Sequence, residues 1–244
     1  MTLPLPTRKA EAWRYADLDA LAEVWPAGVG SDSLVVPAGE SRLLALVADA
    51  APVSVRELRV FLNAGARLDL RIVLAGRRYG RIAVDATLAE GAHLELGGVI
   101  LGGGDETHEI VTSVRHAEPG ASSSQIVRAV LAGRATGSYL GKVTVERGAQ
   151  KTDAEQSAKA MLLDRTATAN LKPELEIYAD DVKCAHGASV GELDRMQQFY
   201  MAARGLPPAE AKRLLLTAFI ADALGGDEAL EQHAIAALEA VTCG

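Results

Sequence analysis

The dipeptide Gly-Ala returns along the middle of this chain at a nearly constant interval. NAGARLDL, AEGAHLEL, EPGASSSQ and ERGAQKTD carry it at Gly65, Gly91, Gly120 and Gly148, at spacings of 26, 29 and 28 residues. A fifth copy, HGASVGEL at Gly187, follows after 39. A period in this range is the signature of a solenoid, in which each repeat covers the apolar face of its neighbour. Between and after the glycines run short alternating segments: LRVFLN, ARLDLRIVL, RIAVDATL, AHLELGGVIL, KVTVERG and ELEIYADDV. Alternation of period two is a strand signal. No helical stretch of convincing length interrupts them from Leu34 to about Asp181, which argues against βαβ units. Short strands joined by glycine turns, where glycine admits positive φ, specify a β-helix. An antiparallel sandwich with coincidental Gly-Ala turns is the rival reading. Aromatic residues make up only 4% of the chain although 49% is apolar, so Ala, Val, Leu and Gly must supply the core. That suits stacked coils of small side chains.

Helical pattern flanks the repeats. Arg8 to Val24 reads as a short helix with Thr7 as its cap and Trp13, Leu18 and Leu21 at near-helical spacing; Pro26, Gly28 and Gly30 end it. From Val190 the pattern is helical again. Leu193, Met196, Gln197 and Tyr200 share one face, and Gly205 stops that helix. Pro207 and Pro208 open a second helix with Leu214, Leu215, Ala218, Phe219 and Leu224, ended by Gly225 and Gly226. A third runs from about Asp227 to Ala240. The expected organisation is an N-terminal helical segment (1–30), a β-helix core (31–189) and a C-terminal helical domain (190–244). The second helix carries enough apolar surface to pack on both the solenoid end and a neighbour, or to offer a face to a partner.

The net charge of −7 and the lack of a basic stripe argue against nucleic acid as a partner. Two distant cysteines make no disulfide framework, so a reducing, cytoplasmic setting is expected. The N-terminus does not read as a signal peptide, and no run reaches the roughly 18 apolar residues of a membrane span.

Several local patterns fail as chemistry. LGGGDE (Leu101 to Glu106) lacks the Lys-Ser/Thr of a phosphate loop, and TGSYLGKVTV departs from that motif at Thr136 and Val143; both read as loops between coils. His93, His108 and His116 match no helix-face ligand spacing, although stacking between coils leaves a metal cluster open. There is no Gly-x-Ser-x-Gly elbow and no His-Glu-x-x-His, so no autonomous enzyme is expected. Cys184-Ala185-His186 remains. On an extended segment, residues i and i+2 face one way, and thiolate and imidazole are both ligands for iron or zinc. A buried structural cysteine beside a surface histidine is the alternative. Two ligands do not complete a metal site, so a second chain would have to supply the others.

KPELEIYADDVKCAHGASVGELD (Lys172 to Asp194) followed by FYMAARGLPPAEAKRLLLTAFIADAL, with PTRKAEAWRYADLDAL near the start, closely resembles the SufB/SufD family of iron–sulfur cluster assembly proteins. Lys-Cys-Ala-His-Gly-Ala and the preceding Lys-Pro-Glu-Leu-Glu-Ile favour the side of that family whose members pair with SufB-like chains. The resemblance implies a mainly β fold with some α: a right-handed parallel β-helix (solenoid) with a short N-terminal helix and a small C-terminal helical domain. It implies a non-enzymatic scaffold that pairs with a SufB-like subunit and binds the SufC-type ATPase, whose ATP-driven dimerisation shears the interface where a nascent cluster is built. Iron acquisition belongs to the same role. It places the functional histidine at His186, with Cys184 as neighbour and second candidate ligand for the transient cluster of iron and sulfide. That cluster is shared with the partner, and none is expected to be held tightly by the chain alone. It also makes Leu214, Leu215 and Phe219, within Val190 to Leu224, the candidate ATPase-docking surface. A homodimer is expected where the true partner is missing, through edge strands paired across a two-fold axis. The chain is short for the family, and a leading helical region of longer members is expected to be missing. The competing class is a free-standing β-helical enzyme of acyltransferase or polysaccharide lyase type, but the acyltransferase hexapeptide repeat is absent.

Overall fold

The structure, a computed structural model, describes residues 4–47 and 51–243, without the side chain of residue 243. Among the described residues twelve strands follow one another: β1 (Val29–Val36), β2 (Ser41–Val47), β3 (Val53–Leu62), β4 (Arg67–Ala75), β5 (Tyr79–Leu88), β6 (His93–Gly102), β7 (Thr107–His116), β8 (Ser122–Leu131), β9 (Thr136–Val145), β10 (Asp153–Leu162), β11 (Thr168–Ile177) and β12 (Lys183–Gly191). Odd strands form one six-stranded sheet and even strands the other, all pairs parallel, so one odd and one even strand make a coil. The chain is a parallel β-helix of about six coils, not a sandwich.

The register stacks like upon like. On the even sheet, one inward column reads Leu44, Leu70, Leu96, Gln125, Gln156, His186 from the first coil to the last. Its neighbour reads Leu68, Leu94, Ser123, Ala154, Cys184. Leucine fills the first coils, at about 1.5–3 kcal/mol for each such side chain taken from water. Smaller and polar groups replace it toward the C-terminal end, where Tyr139 of β9, fully buried, supplies the missing bulk.

Gly65, Gly91 and Gly120 do turn the corners, with φ of 67°, 64° and 71°. Their N–H groups donate to the next coil at Glu90, Pro119 and Gln150 (2.8, 3.0 and 2.8 Å). The fourth copy keeps the corner, but the positive φ falls on Lys151 (63°), because this corner is longer. The fifth is not a turn. Gly187 lies inside β12 opposite Ser157, and the last corner is 178–182. LGGGDE does end β6 and make a corner, whereas TGSYLGKVTV, read as a loop, is strand β9 throughout.

The expected helix from Arg8 to Val24 is broken. A 3-10 turn (Glu11–Trp13) precedes α1 (Leu18–Val24), whose cap is Asp17, accepting the Ala20 N–H at 3.0 Å, rather than Thr7. Tertiary contacts explain the break. Arg81, buried on the outer face of the odd sheet, donates to Ala12 O (2.7 Å) and to Glu109 (2.9 Å), and its guanidinium lies 4.0 Å from the Trp13 ring centre.

At the other end β12 continues through Val190 and Gly191, past the expected start of the helical part. The helices are α2 (Arg195–Ala203), α3 (Pro208–Ala221) and α4 (Glu228–Cys243), and Asp194 caps α2 by accepting the Met196 N–H at 2.7 Å. They do not sit on the solenoid end. Leu216, Ile220, Leu224, Leu230, Ala234 and Leu238 pack with Val73, Val99, Leu101 and Val130 on the outer flank of the even sheet. Two buried arginines hold the end of α3 there. Arg71 donates to Ala223 O (3.4 Å), and Arg128 donates to Asp222 (2.7 Å) and Ser157 O (2.9 Å). Cations at a helix C-terminus complement its dipole.

Candidate functional site

With the helices on the flank, nothing within the described residues pairs with the open end of the last coil. β11 and β12 are the final strands of their sheets, each paired on one side only. In a parallel ladder the N–H and C=O of one residue point to the same neighbour and those of the next residue point away. Lys183 N donates to Thr152 O (2.9 Å), so Lys183, Ala185, Gly187 and Ser189 face β10, while Cys184, His186, Ala188 and Val190 turn their backbone groups to the open edge. On β11 the Thr168 N–H donates to Ala135 O, so even positions are satisfied internally. Pro173, which has no N–H, falls at an outward position, where proline is tolerated in a strand. β12 has no such gap.

Cys184 and His186 sit on this strand, above Ala154 and Gln156. Cys184 is half-buried against the last of the solenoid core, and burial raises its thiol pKa, so a metal ion that takes this sulfur must displace its proton. His186, two residues on in the same inward column, is exposed because no further coil covers it. The imidazole is not sealed in the core. Among the described residues no three His, Cys, Asp or Glu side chains come together as a metal site, and the Cys184–His186 pair supplies two donors where a closed tetrahedral site takes four.

His93, His108 and His116 are dispersed. His108 and His116 lie at the two ends of β7, about 26 Å apart at strand rise. Each has its own partner: His93 Nδ1 lies 2.8 Å from Ser122 Oγ, His108 Nε2 3.3 Å from Glu106, and His116 Nε2 2.9 Å from Ser123 Oγ. Burial lowers the His116 pKa to about 4 from 6.5. The unfolded chain therefore takes up a proton below pH 6.5 that the native chain refuses until about pH 4, and stability falls as pH drops through that window. The expected loss is about 3 kcal/mol by pH 4. Urea unfolding at pH 7 and pH 4 should show His116→Gln losing about 3 kcal/mol less than the parent chain over this interval.

The expected docking residues divide. Leu214 is exposed, Leu215 is half-buried, and Phe219 packs on the flank cluster with the Arg128 guanidinium 5.9 Å from its ring centre. The larger apolar surface is on α2, where Met196, Phe199 and Tyr200 are 72%, 70% and 59% exposed on one face, with no residue of that helix buried. Met196 and Tyr200 share a face as their spacing predicts, and Phe199, at i+3 from Met196, extends it beyond the expected residues.

Against known proteins, the family model described as SUF system FeS cluster assembly, SufBD core domain, matches residues 47–219. The iron–sulfur cluster assembly protein SufD of Escherichia coli is 34% identical over 134 residues, 54% of this chain and 32% of that protein. SufD of Bacillus subtilis is 33% identical over 123 residues, 50% of this chain and 28% of its own length. Protein ABCI7, chloroplastic, of Arabidopsis thaliana is 37% identical over 131 residues, 52% and 26% of the two lengths. The matched stretch thus spans about a third or less of each of these relatives.

Proposed function

This chain belongs to the SufB/SufD family of the SUF iron–sulfur cluster assembly system, and we propose that it is the SufD-type scaffold subunit, meeting a SufB-like partner through its last coil. The observation that carries the reading is that uncovered end, which holds an exposed imidazole and a half-buried thiol in one inward-facing row. An unbroken edge strand of nine residues is a template for another strand. A partner seated there would exclude water from His186 and add the donors that this chain lacks. The nascent cluster of iron and sulfide is then the cargo of a shared site, with His186 as the ligand from this side and Cys184 as the second, and iron acquisition occurs at the same place. The same edges pair with a second copy when the partner is missing.

The exposed apolar face of α2 and the exposed Leu214 of α3 are the surfaces this reading gives to the SufC-type ATPase. Large aromatic and Met side chains left exposed together are characteristic of protein-binding surfaces. A cytoplasmic setting fits two cysteines without a disulfide framework and the lack, among the described residues, of any helix long and apolar enough to cross a membrane. The test is His186→Ala in the chain co-expressed with its SufB-like and ATPase partners. The complex should form as before, and cluster assembly, followed by absorbance and iron and sulfide content, should fall roughly tenfold or more, in the range set by disturbing a metal site. Normal assembly in an intact complex would remove His186 from the account. Cys184→Ala should have an equal or smaller effect.

A further inference from the structure

We propose that Gln156 is a positioning residue for His186: its side-chain oxygen accepts the imidazole N–H and leaves the other ring nitrogen, facing the open end, as the free electron-pair donor. The inference rests on the reading of His186 as a ligand, but it concerns the state of the ring before any metal or partner arrives.

The interior of the last coils contains a connected set of buried polar side chains. Thr112 Oγ1 donates to Gln125 Oε1 (2.7 Å), and Tyr139 Oη donates to the same oxygen (3.2 Å). With its proton committed, Tyr139 Oη accepts from Gln156 Nε2 (3.4 Å). The direction of these bonds orients the Gln156 amide. Its nitrogen faces the tyrosine, and its oxygen is buried without a hydrogen-bond partner, in a residue only 1% exposed. Room for the arrangement comes from Gly141, where a Cβ would fall 2.1 Å from Tyr139 Oη and 2.7 Å from Gln156 Nε2.

An acceptor buried without a donor costs about 1–3 kcal/mol, so a donor within reach is expected to be used. Gln125 lies one rung behind, and although its Nε2 is also without a partner, the two amides do not bond to each other. One rung ahead in the same inward column is His186, about 4.8 Å away along the sheet. Its ring makes no hydrogen bond within the described residues and is free to turn toward Gln156. An imidazole that donates from one nitrogen has its tautomer fixed, and the lone pair on the other is then available to a metal. The polar column thereby does what a carboxylate or carbonyl behind a metal-binding histidine does elsewhere.

The experiment is nitrogen NMR of the histidine rings in the full chain, without metal or partner, at neutral pH, with the His186 signals assigned by their loss in His186→Gln. In the parent chain one tautomer should dominate. In Gln156→Met, which keeps the volume and removes the acceptor, the tautomer ratio should change about fivefold, the effect of one net hydrogen bond. Ser123→Ala, which removes a buried polar group of the same core that bonds to His116 and not to this set, should leave the His186 signals in place. Identical ring shifts in the parent chain and Gln156→Met would overturn the proposal, as would an equal change in Ser123→Ala, which would mark general loosening of the core. Gln156→Asn, whose shorter amide stays polar but does not reach, repeats the test if the methionine chain does not fold. Because no cluster is involved, this result stands apart from the cluster-assembly phenotype of His186→Ala.

Discussion

Gly97→Ala should detach the helical unit from the solenoid while leaving the coils folded. A Cβ at Gly97 would lie 1.8 Å from Ala223 O, 2.8 Å from Ala223 C and 2.5 Å from Arg71 Nη1. Two of these three atoms are backbone, at the end of α3, so rotating a side chain does not relieve the clash. Arg71 is itself hemmed in by Asp69 on one side and by Gly225 on the other, where another Cβ would fall 2.6 Å from the guanidinium. The end of α3 must therefore lift, which gives up the Arg71 bond to Ala223 and part of the apolar contact around Ile220 and Leu224. The expected cost is about 3 kcal/mol or more, at the upper end for overpacking by a single methyl. Limited proteolysis should cut within 195–243 and release an intact β-helix. Gly103→Ala, on the same flank but with its nearest new contact at 3.7 Å, should change stability by less than about 0.5 kcal/mol.

Ala188→Pro is expected to leave the chain folded and to cripple association with the SufB-like partner. Ala188 stands in the outward-facing half of β12, so its N–H takes no part in the ladder to β10. Proline there removes a donor only from the open edge and sets a ring where an added strand would lie, the device by which natural edge strands avoid unwanted pairing. The preceding Gly187 tolerates the extended conformation required before proline. Loss of one or two interfacial hydrogen bonds with the added steric cost comes to about 1–3 kcal/mol, or roughly ten- to hundredfold in Kd. Ser189→Pro, one residue along, removes instead an N–H that faces β10, and should cost folding stability in addition. A calorimetric titration against the partner, with urea unfolding of each variant, separates the two effects.

What was legible in the sequence follows from which residues carry a strong signal. Leucine- and valine-rich strands such as ARLDLRIVL declare themselves through large alternating side chains, and the corner glycines give the period. DAEQSAKAML did not, because the inward residues of β10 are Ala154, Gln156, Ala158 and Ala160, small or polar groups that imitate a loop or a helix. The fifth Gly-Ala misled for the same reason: Gly187 and Ala188 are strand residues whose small size suits a terminal coil. The site tripeptide was legible as Cys-x-His on an extended segment, and its position at an uncovered end was not. That depends on where the three C-terminal helices come to rest. Their place on the flank is decided by Gly97, Arg71 and Arg128, whose partners lie 94 or more residues away along the chain. The drift of one inward column from leucine to Gln125, Gln156 and His186 became visible only once the register was known.

The central claim is that the last coil is the surface on which a SufB-like subunit is received. Hydrogen–deuterium exchange of this chain, free and mixed with that partner, tests it most directly, because the outward N–H groups of Cys184, His186, Ala188 and Val190 have no acceptor within the chain's own ladder. The expected result is strong protection of 183–191 and of the facing strand 168–177 in the complex, with the coils at the N-terminal end unchanged. Protection confined to other surfaces, with β12 exchanging at its free rate in a stable complex, would contradict the account.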